Sequence, residues 1–162
     1  METTMNDFKN LIQIEWKQDK VLRCDGILFA NGDIILMNCV TLVSPDSGAI
    51  CSRVSPFARS TVASVLEFHP DSWSYVTSLD SHDNPDSNER FICGEGSQGS
   101  EGFFASCNLE MGTMNWVAYF WLSNPFIQIR GKAGYIHVTS SYNHIWTFPI
   151  KHPEQVTVLC KN

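Results

Sequence analysis

From Gly102 to Cys160 the chain is a succession of short apolar segments cut at regular intervals by turn residues, and this pattern constrains its fold more than any other feature. The segments run from Gly102 to Leu109, Asn115 to Leu122, Phe126 to Arg130, Tyr135 to Thr139, His144 to Ile150 and Gln155 to Cys160. Between them stand Met111-Gly112-Thr113, Ser123-Asn124-Pro125, Gly131-Lys132-Ala133-Gly134, Ser140-Ser141-Tyr142-Asn143 and Lys151-His152-Pro153-Glu154. None of the segments is long enough for a stable helix, and Gly, Pro and Asn recur where a strand must reverse. The expectation is a mainly β fold, an antiparallel meander in a sandwich or barrel-like sheet with at most one or two short helices.

Upstream, Ala30-Asn31-Gly32-Asp33 lies between two apolar runs and predicts a two-residue hairpin turn. That turn pairs residues whose numbers sum to 63: Phe29 with Ile34, Ile27 with Leu36, and Cys24 with Cys39. The last pair would lie within disulfide range, but six cysteines with no CxxC spacing are read as reduced, mostly buried thiols. Leu11 to Trp16 alternates like an early strand. Ser55-Pro56 resembles a cap followed by a first-turn proline and predicts a helix over 56–67, with Ala58, Val62, Val65 and Leu66 on one face. Asp80 to Arg90 and Gly94 to Gly102 read as polar loops. With 162 residues and no linker, residues 1–162 form one β-rich domain.

Charge is distributed unevenly. Between residues 71 and 110 stand Asp71, Asp80, Asp83, Asp86, Glu89, Glu95, Glu101 and Glu110 against Arg90 alone, which exceeds the net charge of −6 for the whole chain. Clustered carboxylates disfavour phosphate, so direct nucleic-acid binding is not expected. They favour a basic macromolecule, and Asp80, Asp83, Asp86, Glu89, Glu95, Glu101 and the neighbouring Trp73 are the candidate partner-binding residues. The N-terminal Met1 to Asp7 lacks the basic and apolar regions of a secretory signal, and no run approaches a membrane span, so a cytoplasmic location is expected.

No motif for chemistry is complete. Gly94-Glu95-Gly96-Ser97-Gln98-Gly99 matches a dinucleotide fingerprint in letters, but a strand rather than a helix follows and two glutamates would repel phosphate. The acids around Asp83 lack the glycine and spacing of an EF-hand, so no metal site and no cofactor are expected. His69, His82, His137, His144 and His152 are scattered; His137 and His144 sit on neighbouring segments and read as hydrogen-bonded sheet residues. No nucleophile elbow or zinc signature is present, and no catalytic residue is assigned. Trp116 and Trp121 have opposite parity, so one faces the core and the other a second layer or a partner.

The stretch Asn115 to Phe126, with Trp116, Tyr119, Phe120 and Trp121, followed by Ile145-Trp146-Thr147-Phe148-Pro149-Ile150, resembles the immunity proteins of bacterial contact-dependent growth inhibition and related polymorphic-toxin systems. The resemblance implies a non-enzymatic inhibitor that binds a cognate toxin, commonly a basic nuclease, and blocks it sterically. The alternative is a small-molecule-binding β-barrel or sandwich without catalytic activity, with Trp121 or Trp146 lining an interior cavity.

Overall fold

A computed structural model describes residues 4–161. Met1 to Thr3, part of the segment read as lacking a secretory signal, lie outside the described residues. In chain order the elements are α1 (Met5–Lys17), β1 (Lys20–Leu22), β2 (Gly26–Phe29), β3 (Asp33–Val43), β4 (Ile50–Thr61), α2 (Val62–Phe68), β5 (Trp73–Tyr75), β6 (Thr77–Asn84), β7 (Glu89–Glu95), β8 (Gly102–Asn108), β9 (Met114–Phe120), β10 (Phe126–Lys132), β11 (Tyr135–Ser140), β12 (Ile145–Pro149) and, after a 3₁₀ turn, β13 (Thr157–Leu159).

The mainly β expectation holds. A seven-stranded antiparallel sheet has the order β4-β3-β2-β9-β8-β7-β6, and β10 to β13 form a second sheet in simple meander order. The first sheet is not closed into a barrel. Its two faces bury separate cores. One holds Phe91, Phe104, Trp116 and Phe120 against Phe126, Trp146 and Phe148 of the second sheet. The other holds Phe103, Val117 and Tyr119 under α1, α2 and a small β1–β5 ribbon, through Ile12, Val62, Val21 and Leu22. Strands with both faces covered are buried nearly throughout and mostly apolar, as β8 and β9 are. The inter-sheet core is aromatic: Phe104 and Phe148 have ring centroids 4.7 Å apart, and Phe120 and Trp146 4.9 Å. Large side chains at such contacts contribute the greatest share of burial energy.

Four expectations are corrected. Leu11 to Trp16 is helical, part of α1. Phe8, Ile12 and Trp16 recur at a spacing of four and turn inward, whereas Ile14, which alternation would bury, is exposed. The Asp7 carboxylate closes the helix start by accepting from Thr4 N–H and Oγ1 at 2.7 and 2.8 Å.

The β2–β3 hairpin pairs residues summing to 62: Leu28 with Ile34, Ile27 with Ile35 and Gly26 with Leu36. Only Gly32 of the turn pair has positive φ (94°), and its N–H donates to Phe29 O, so the loop is a type I turn closed by a left-handed glycine and is one residue longer than predicted. A shift of one moves each partner, and Cys24 and Cys39 are both free. Burial pushes their thiols up to about 12 and about 11.

The predicted helix over 56–67 is cut to Val62–Phe68. Thr61 is its cap, accepting from Ser64 N–H, and Ser55-Pro56 lies in β4. Proline is tolerated there because β4 is an edge strand and the register shifts beside it, Met37 facing Pro56 and Leu36 facing Ala58.

Finally, Cys51 and Cys160 form a disulfide across a sequence separation of 109, so the expectation of reduced thiols fails for these two. The bond fastens the long β3–β4 ribbon to the chain end beyond β13. In a chain-entropy account a loop of this length is worth on the order of 4–5 kcal/mol. No helix among the described residues is long and apolar enough to cross a membrane.

Candidate functional site

Asp80 to Arg90 is not a loop. Residues to Asn84 complete β6, Glu89 begins β7, and only 85–88 turn between them. The tip of this hairpin lies against the β8–β9 turn, where Leu109 N–H donates to Asn88 O at 2.9 Å. That bond gathers Asp83, Asp86, Glu89 and Glu110 at one end of the large sheet. Met111, 74% exposed, stands beside Glu110.

The four acids differ in state. Asp83 makes a two-point contact with Arg90, at 2.6 and 2.9 Å, and these bonds hold its carboxyl below the usual carboxylate range. Asp86 is exposed in a groove shared with Lys132. Glu89 is half-buried in a second groove with Lys151, and Ser106 Oγ donates to it at 3.4 Å while Asn115 Nδ2 donates to Ser106 Oγ at 3.1 Å. Burial raises its carboxyl above the ordinary value. The end is therefore mixed in charge, with Asp83, Asp86 and Glu110 exposed and Arg90, Lys132 and Lys151 beside its four acids.

The other predicted residues lie elsewhere. Asp80 follows a register shift in β6 and turns toward the second sheet, where its Oδ2 accepts from Ile129 N–H at 2.8 Å. It caps the open edge of β10. Glu95 is half-buried at the far end of β7. Glu101 is 1% exposed, with Oε2 accepting from Gln98 N–H at 2.8 Å; a side chain enclosed in this way is withdrawn from any surface. Trp73 packs inward against the helix-side core. Trp116 faces a core and borders the Glu89 groove, Trp146 is fully buried, and Trp121 lines a separate cleft. His137 Nδ1 and Thr147 Oγ1 are 2.8 Å apart across β11 and β12, whereas His144 lies opposite Ser140 and does not face His137.

A cleft of about 630 Å³ opens at the end of the molecule away from these tips, and of its lining residues the sequence singled out only Trp121 as a cavity candidate and Asp71 among the acids. Arg23, Cys24 and Trp121 form one side and Val65, Phe68, His69, Asp71 and Ser72 the other. Its residues come from segments nearly a hundred positions apart, so no local spacing marks them. Cys24, His69, Asp71 and Ser72 are residue types suited to nucleophilic chemistry, but they are not linked for it. Ser72 Oγ donates to the His69 carbonyl at 2.7 Å, and the Cys24 thiol is held protonated by burial. Among the described residues no group of three or more His, Cys, Asp or Glu side chains is placed to hold a metal ion.

In comparison with known proteins, no family model, no curated protein and no solved structure matches this chain.

Proposed function

We propose that the chain is a non-catalytic inhibitor that docks a basic protein on its hairpin-tip end, in the manner of a cytoplasmic immunity protein neutralising a toxin. The observation that carries this reading is the Leu109–Asn88 bond, because it makes one surface out of two hairpin tips. Met111, next in sequence to Glu110, is exposed at that end. An apolar anchor inside a charged rim is the usual anatomy of a protein interface, with the rim setting the encounter rate and the centre setting the lifetime. A nuclease presents the complementary surface, since its phosphate-binding cleft is basic. Inhibition would be steric and one-to-one.

Co-expression tests this directly. The chain is produced together with the protein encoded beside it in its native genome, and the pair is purified through a tag on the chain alone. Recovery of a stoichiometric complex, with growth restored to cells carrying the neighbouring gene, is the expected result. Recovery of the chain alone, with no protection, would reject the reading.

A further inference from the structure

The Arg23 side chain makes no hydrogen bond among the described residues, and no carboxylate oxygen comes within 4.0 Å of it. Its Nε is buried without a partner. Its guanidinium lies over the Trp121 ring, 4.2 Å from the centroid. An arginine stacked in this way is fixed in plane while the edge of its fork stays available, the geometry that grips an oxyanion at two points. The stack is itself supported from below. Trp121 N–H donates to Asp25 Oδ1 at 2.7 Å, and Arg23 N–H donates to Ser72 O at 2.7 Å.

The surroundings define the rest of a ligand. Val65 and Phe68 of α2 and the Trp121 ring give the cleft a mainly apolar lining, and its volume of about 630 Å³ suits a small organic molecule. The nearby carboxylates are engaged by backbone amides, Asp25 by Trp121 N–H and Glu101 by Gln98 N–H. Asp71 is exposed at the cleft's edge. Among the described residues no carboxylate pairs with the guanidinium.

We propose that this cleft binds a small organic anion with a flat apolar body, an aromatic carboxylate being the simplest form, with the carboxylate on the Arg23 fork and the ring against Trp121 and Phe68. The site is separate from the hairpin-tip surface and stands whether or not a protein docks there.

Calorimetric titration of the full chain with 2-naphthoate and with 2-naphthylmethanol provides the test, since the two differ only in the anionic group. The acid should bind at least about tenfold more tightly than the alcohol, the gain of one charge-assisted two-point contact. In Arg23→Gln that preference should vanish, while Asp71→Asn should tighten the acid slightly. Equal binding of acid and alcohol to the wild-type chain, or no binding of either below the millimolar range, overturns the proposal. So does an Arg23→Gln chain that retains the preference. The wild-type comparison decides the matter even if a variant fails to fold.

Discussion

The two ends of the large sheet use carboxylates in opposite ways. At the hairpin-tip end, Asp83, Asp86 and Glu110 face water, and Asp83 is held by Arg90 across the β6–β7 ladder. Toward the other end, Asp25 and Glu101 accept from the backbone N–H groups of Trp121 and Gln98, and Asp80, midway along β6, accepts from Ile129. These inner acids cap strand ends, a tight turn and a sheet edge. Gln13 does the same work with a neutral amide, accepting from Met114 N–H and donating to Met114 O, both at 2.9 Å. Residues from one acidic block of sequence are thus solvated at the hairpin tips and satisfy backbone amides elsewhere. Charge counted along a chain does not separate the two uses; hydrogen bonding does.

This contrast can be broken by substitution. The largest effect is expected at Glu101. Its replacement by Ala leaves a void against Gly96, where the two residues are in tight contact, and strips the Gln98 amide of its acceptor. Loss of about 2–4 kcal/mol in urea unfolding is expected. Asp80→Ala leaves the Ile129 amide at the β10 edge without a partner, and a smaller loss of about 1–3 kcal/mol should follow. If either variant unfolds like the wild type, the inner acids are not structural.

Glu89 lies between the two classes and should show itself through pH. Burial raises its folded-state pKa above the unfolded value, so the folded chain binds this proton more tightly. Stability should therefore fall as pH rises from the ordinary Glu range through the raised value, and the penalty should be complete above it. Glu89→Gln removes that contribution. The stability of the wild type relative to the variant should decline between about pH 4 and neutrality, and a constant difference would place Glu89 with the solvated acids. The smallest effects are expected at Asp83→Asn and Asp86→Asn, whose unfolding curves should overlay the wild type within replicate scatter because both side chains are solvated.

Period-two alternation and turn residues placed six strands of the C-terminal half, because each strand there pairs mainly with its neighbours in sequence. The same alternation misled at Leu11 to Trp16, where Ile12 and Trp16 satisfy both a strand and a helix pattern and only tertiary packing decides between them. Asn31-Gly32 announced a hairpin but not its loop length, since Asn need not take the positive φ it tolerates. The polarity of residues 80–90 concealed two strands whose outer face is solvated and whose inner face meets the second sheet through Asp80 and Phe91. Composition flagged the acidic block but not its division, since Asp80, Glu95 and Glu101 lie away from the hairpin tips. The Arg23–Trp121 cleft was not legible, because its two walls meet only when β1, α2 and the end of β9 are folded together.

Asp83, Asp86 and Glu110 are the exposed acids of the hairpin-tip end, and under the proposed function they steer the encounter with a partner. The direct measurement is the association rate of the chain with the proposed partner, the protein encoded beside it, for the wild type and for a variant carrying Asp83→Lys, Asp86→Lys and Glu110→Lys, at low and at physiological salt. The variant should fold normally, associate at least about tenfold more slowly at low salt and lose most of its salt dependence. Equal rates and equal salt slopes for the two proteins would contradict the account.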